Sequence, residues 1–133
     1  MINNKIIKIA SNTKFHGLNN IYTHKASIKN RKCGDKIDVE INIRLNKIKS
    51  MRYETESCIF CQASASILAS KVSLFSIKNL KDEIDLVLSC FERKKIKLPK
   101  KLNIFKKIIN KNNASRLDCI ILPFKAIKKA LKV

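Results

Sequence analysis

The chain has 133 residues, the length of one ordinary domain and enough to bury a modest core without disulfides. Its 29 Lys and Arg against 10 Asp and Glu give a formal net charge of +19, but only five of the basic residues are Arg, there is no Trp, and lysines are scattered over every segment, which argues against a nucleic-acid reader. No run approaches 18 consecutive apolar residues, which excludes a membrane-spanning helix, and five cysteines without an export-type N-terminus imply free thiols in a reducing, cytoplasmic setting.

Tyr22, His24, Ala26 and Ile28 alternate loosely and are expected to form a first strand, connected by residues 30–34 to a second. Residues 36–45 alternate strictly, with Ile37, Val39, Ile41, Ile43 and Leu45 on one face, the pattern of a half-buried strand. Asn46 and Lys47 fit a tight turn into a third alternating run, where Met51, Tyr53 and Thr55 face away from Arg52, Glu54 and Glu56. The period then changes to helical. Ser57 suits an N-cap, and Cys58 to Ser70 is rich in Ala and Ser, which permit close packing. Ile77, Leu80, Ile84, Val87, Leu88 and Phe91 follow helical spacing behind Ser76 as a cap, ending near Arg93. A basic loop runs to Pro99, Leu102, Phe105, Ile108 and Ile109 mark a short amphipathic helix that fades at residues 110–113, and a last helix occupies the C-terminus. Pro123 fits best at its first position, which would leave Cys119 in the turn just before. The expected fold class is α+β, a small three-stranded antiparallel sheet packed by four to five helices, in one domain over residues 1–133.

Three cysteines stand in contexts that favour chemistry. Cys33 follows Asn30-Arg31-Lys32, basic surroundings that favour a thiolate, and Gly34 gives the turn in which Cys33 and Asp35 can converge on one ion. Cys58 sits where strand passes to helix, and Cys119, beside Asp118, also lies near a helix N-terminus; both positions lower a thiol pKa. Cys61 makes Cys58-Ile59-Phe60-Cys61 a CxxC, open to reading as a redox pair, half a zinc site or a packed helix residue; the absent second CxxC and the antiparallel sheet favour packing. Cys90, in the stripe of the long helix, is expected in the core. His16 and His24 receive no role, and no nucleotide loop, Ser-His-Asp order or paired-carboxylate spacing is present.

In order, Cys33-Gly34-Asp35, Cys58 leading into Gln62-Ala63-Ser64-Ala65-Ser66, and Asp118-Cys119 before Ala126-Ile127 resemble the U-type iron-sulfur cluster assembly proteins: IscU, the NifU N-terminal domain and SufU. The resemblance spans most of the chain. It implies a small antiparallel sheet packed by helices, and a metal site of Cys33, Asp35, Cys58 and Cys119 holding zinc in the SufU manner. The same three cysteines could anchor a [2Fe-2S] cluster instead, with Asp35 as a weaker oxygen ligand. It also implies that Cys33, or alternatively Cys119, accepts persulfide sulfur from a pyridoxal-phosphate cysteine desulfurase, and that the product passes to a cluster-building complex or apo-proteins. The 61-residue separation of Cys58 from Cys119 is similar to SufU rather than the shorter IscU. Asp118 stands where IscU proteins have His, and residues 113–117 lack the Leu-Pro-Pro-Val-Lys chaperone motif, so chaperone-assisted transfer is not implied. The family's N-terminal Asn-Pro-Arg-Asn-x-Gly block is reduced to residues 12–17, and Ser57 replaces the Gly before the second cysteine. The expected activity is a zinc-dependent sulfurtransferase or a non-enzymatic scaffold. A competing reading, a basic nucleic-acid-binding protein with incidental cysteines, predicts steeply salt-dependent binding and no stoichiometric metal.

Overall fold

The computed structural model describes residues 4–31, 34–92, 100–108 and 116–131. Cys33 lies outside the described residues, as do the loop expected at 94–99 and the fading helix end at 110–113; the side chain of Cys90 is likewise outside them. The described elements are α1 (Asn4–Ala10), β1 (His24–Lys29), β2 (Lys36–Arg44), β3 (Lys47–Glu56), α2 (Ile59–Lys71), α3 (Ile77–Glu92) and α4 (Leu117–Ala130), with 3-10 helices at Val72–Leu74 and Lys100–Lys107. The expected α+β class, three-stranded sheet and helical complement are present. Helix α1, which buries Ile6, is an element beyond those expected.

The sheet is antiparallel in the order β1-β2-β3. Alternation along each strand delivers apolar side chains to one face, and the register stacks them in rows: Ile28, Ile37 and Thr55, then Ala26, Val39 and Tyr53, then His24, Ile41 and Met51. Helices α2 and α4 pack on this sheet and on each other, and α1 packs on α2. The opposite face is covered where Glu40, only 4% exposed, accepts backbone N–H bonds from Asn19 at 2.9 Å and Asn20 at 3.1–3.2 Å. Arg52 fastens the start of the same loop by donating to the carbonyls of Gly17 at 2.6 Å and His16 at 2.8 Å.

The hairpin departs from expectation at its tip. A register shift between Asn42 and Ile43 ends the strict alternation, so Leu45 leaves the buried face and is 87% exposed. Leu45 and Asn46 form the turn with φ of 53° and 62°, the two left-handed residues of a type I′ turn. Leucine carries a Cβ penalty there that asparagine largely avoids. Leu45→Asn is therefore expected to raise stability by about 0.5–1 kcal/mol, read as a higher urea midpoint at unchanged slope.

Helix α2 is buried on nearly all sides, with Phe60, Cys61, Ala63, Ala65, Ile67 and Leu68 in the core and Ser64 and Ser66 also enclosed. Its small residues let three elements approach it closely. Ser76 caps α3 as expected, accepting the Asn79 N–H at 3.2 Å, while Leu80, Ile84 and Val87 are buried. The short helix at 100–107 is 3-10 rather than α. Leu102, Phe105 and Ile108 are all fully buried; Leu102 sits at a kink with φ of −107° and ψ of 18°, and Ile108 follows the end of the helix.

Candidate metal centre

Asp35, Cys58 and Cys119 are widely separated in sequence, and three different joints in the fold bring them together. Asp35 ends the β1–β2 connection, which is closed by Asn30 N–H to the Asp35 carbonyl at 2.7 Å and Gly34 N–H to the Asn30 carbonyl at 2.8 Å. Gly34 has φ of 78°; open space surrounds the position a Cβ would take, so backbone conformation and not crowding calls for glycine. Because Lys36 pairs with Glu56, the start of β2 lies beside the end of β3, and Asp35 meets the residues entering α2. Cys58, and not Ser57, is the N-cap residue of α2, in extended conformation. Its backbone N–H donates to Asp35 Oδ1 at 3.3 Å, and Gln62 Nε2 donates back to the Ser57 carbonyl at 3.0 Å, which fixes the strand-to-helix joint.

Cys119 comes from α4, and here the sequence expectation is corrected. The helix begins at Leu117, so Cys119 lies in its first turn and Pro123 lies inside the helix. An interior proline removes the N–H that would meet the Cys119 carbonyl and presses its ring against that carbonyl, at a cost of about 3 kcal/mol. Burial of Ile120, Phe124, Ala126 and Ile127 offsets that cost. One residue beyond Cys119, the Ile120 carbonyl accepts a 2.5 Å bond from the enclosed Ser64 hydroxyl. That bond ties the cysteine-bearing turn of α4 to α2. Nothing in local sequence marks Ser64 for this role, because its partner is 56 residues away.

The ligand atoms of Asp35, Cys58 and Cys119 all lie within 4.8 Å of one another. Asp35 is 7% exposed and Cys119 4% exposed, while Cys58 is half-buried. Asp35 divides its carboxylate between two tasks: Oδ1 holds the Cys58 amide, whereas Oδ2 is buried and accepts no hydrogen bond among the described residues. A buried carboxylate oxygen without a donor is costly unless a cation meets it. Burial pushes the Cys119 thiol well above the usual thiol range, and the neighbouring Cys58 and Asp35 push it the same way. Opposing this, the N-termini of α2 and α4 both face the cluster and favour anions. Two sulfurs and one carboxylate oxygen so arranged fit a thiophilic cation such as zinc or iron.

Cys61 does not join them. Its side chain is fully buried, its Sγ lies 3.9 Å from Thr55 Oγ1, and burial pushes its thiol up to about 12. The CxxC is thus a half-buried thiol beside a packed one, as the helix reading anticipated. A pH dependence follows for the metal-free protein. The unfolded chain ionises this thiol near 9.0, the folded chain only near 12, so the stabilising contribution is complete below pH 9 and is lost as pH rises toward 12. The urea midpoint of metal-free protein is expected to fall between pH 9 and 11, and Cys61→Ala should flatten that fall without abolishing it, since Cys119 acts with the same sign.

The sequence profile of the NifU-like N terminal domain matches residues 1–133. The chain belongs to the NifU-like N-terminal domain family. The NifU-like chain is 26% identical over 132 residues, 99% of its length and 93% of the relative's, to the iron-sulfur cluster assembly scaffold protein IscU of Thermotoga maritima. An uncharacterised protein of Borreliella burgdorferi is 29% identical over 146 residues, covering 98% of this chain and 82% of its own. Among solved structures, a NifU-like protein N-terminal region from Brucella abortus superposes with a TM-score of 0.84 at 19% identity, over 98% of this chain and 91% of its own. A candidate cluster assembly scaffold for the SUF system from Fervidobacterium islandicum gives 0.81 at 23% identity, over 98% and 96%. These likenesses carry the fold. Among the described residues, no helix of the NifU-like chain is long and apolar enough to cross a membrane.

Proposed function

We propose that this chain is an iron-sulfur cluster assembly protein, one unit over residues 1–133, working in the reducing cytoplasm. It accepts sulfur from a cysteine desulfurase and carries a nascent [2Fe-2S] cluster, as cargo, on Cys33, Asp35, Cys58 and Cys119. The observation that carries this reading is the convergence of Asp35, Cys58 and Cys119 within 4.8 Å around a carboxylate oxygen that accepts no hydrogen bond among the described residues. Family membership supplies the class of chemistry. Cys33, two residues before Asp35 in the sequence, is the proposed fourth donor, on the resemblance of Cys33-Gly34-Asp35 to the family's motif.

In the sulfur-accepting step, the Cys33 thiolate attacks the outer sulfur of the desulfurase persulfide. A new S–S bond forms, the desulfurase S–S bond breaks, and the desulfurase cysteine leaves as a thiolate, with no net oxidation. Cys119 is the alternative acceptor, though its enclosure makes it the poorer nucleophile toward a large partner. Zinc, when bound to the three thiolates and Asp35, keeps them deprotonated and protected from oxidation between transfers. The spacing between Cys58 and Cys119 favours the zinc-bearing, SufU-like form of this activity.

Metal and acid-labile sulfide are measured on protein isolated without oxygen. About one zinc per chain supports the sulfur-transfer form; iron with equal sulfide supports the scaffold form. In either case Cys58→Ser is expected to lose the bound species. Absence of stoichiometric metal together with tight, steeply salt-dependent DNA binding would overturn the proposal in favour of a basic nucleic-acid binder.

A further inference from the structure

We propose that a cavity at the far end of α2 from the metal centre binds a small amphipathic anion, a carboxylate or phosphate monoester bearing a hydrocarbon tail. The cavity, about 580 Å³, lies between α1, α2 and the 3-10 helix at 100–107. That volume falls in the range of small-ligand pockets. The distance along α2 from Cys58 to Ser70 is roughly 18 Å at the helical rise per residue, so an occupant does not compete with the metal donors.

The lining is divided by chemistry. Ile9 from α1, Ile67 from α2 and Ile104 from the 3-10 helix supply apolar wall, and Lys5, Lys8 and Lys107 supply cations. Ile67 is 3% exposed while Ile9 and Ile104 are half-buried; the three lysines are exposed. Each cationic element repeats the same arrangement. On α1, Lys5 precedes Ile9 by four residues; on the 3-10 helix, Ile104 precedes Lys107 by three, the spacing that aligns side chains there. Among the described residues, no Asp or Glu lines the space. Among the described residues the one ion pair is Lys128 with Asp85, so none of the three lysines is neutralised by them.

This is more than the chain's general basicity. The ten acidic residues are confined to positions 35–92 and 118, leaving 1–34 and 93–117 without any. The fold sets the α1 and 3-10 walls, one from each acid-free stretch, against each other across α2. On the α2 side the lining is small and polar at Ser66 and Ser70, which leaves volume unfilled, and the Ser66 hydroxyl holds the end of α1 by donating to the Asn12 carbonyl at 3.3 Å. A compact inorganic anion would satisfy the lysines and leave the isoleucines wet; a neutral hydrocarbon would do the reverse. One molecule with both parts satisfies both.

The test titrates full-length protein, isolated with its metal, with decanoate below its micellar concentration, using calorimetry. Saturable one-to-one binding is expected, with decan-1-ol and acetate each at least about tenfold weaker, because each lacks half of the recognised structure. Lys107→Glu should weaken decanoate about fivefold to tenfold, and Ile104→Asp should abolish the binding. Lys49→Glu, an equal charge change on the exposed side of β3, should leave it unchanged, and metal content should stay constant throughout. No saturable binding, an equal loss in Lys49→Glu, or equal affinity for decan-1-ol would overturn the proposal. Displacement of decanoate by a Glu- and Leu-containing peptide of far higher affinity would overturn it in favour of a protein partner.

Discussion

Cys119→Ser is expected to lower metal affinity by at least about a hundredfold, more than the loss typical of disturbing a residue behind a ligand. Cys119 is one of two sulfurs in the described donor cluster, it is almost wholly enclosed, and a serine hydroxyl does not ionise at neutral pH to replace the thiolate. The fold should survive, since serine is nearly isosteric and the tie between Ser64 and the Ile120 carbonyl uses backbone that the change leaves in place. Circular dichroism should therefore match the parent protein while metal analysis does not. Asp35→Ala should behave differently. It leaves both described sulfurs but releases the Cys58 amide from Oδ1, and it removes one of the negative neighbours that push the Cys119 thiol upward. In metal-free Asp35→Ala, alkylation of Cys119 should thus proceed at lower pH than in metal-free parent protein. An alkylation profile unchanged by Asp35→Ala would mean that the carboxylate does not act on the sulfur.

Which parts of this arrangement were legible in sequence depends on the range over which each is determined. The sheet was readable because period-two alternation at Ile37, Val39 and Ile41 encodes a buried face within a few residues. Ser76 was readable as a cap because its bond to Asn79 spans one turn. The tip at Leu45 and Asn46 was not, since leucine has little intrinsic preference for left-handed backbone and is held there by the flanking ladder and the shift at Asn42 and Ile43. Pro123 misled for a similar reason. Proline's local preference is for a first turn, but the burial of α4 on both sides of it and the tertiary bond to Ile120 outweigh that preference. The candidate donors at Asp35, Cys58 and Cys119 were each visible from local context. Their mutual distance was not, because it depends on strand register and on the docking of α4.

Phe124→Ala is expected to destabilise the protein by about 3–5 kcal/mol, a large share of the roughly 5–15 kcal/mol that holds a domain folded. Phe124 is fully buried, and its ring lies 5.0 Å from that of Phe105 at 45°, a tilted geometry that adds to the area term. Truncation leaves a cavity between α4 and the 3-10 helix, on the side where the Phe105 ring packed against Phe124. A melting temperature lower by about 10–20 °C should result, and Phe124→Leu, which refills most of the volume, should recover more than half of the loss. The comparison with Cys119→Ser separates structure from site. Phe124→Ala keeps every metal donor, so added zinc should raise its melting temperature by the mass action of binding to the folded state. Cys119→Ser starts from a higher metal-free stability but should gain far less from the same zinc. If zinc stabilised both variants equally, the metal would be binding somewhere other than the cluster of Asp35, Cys58 and Cys119.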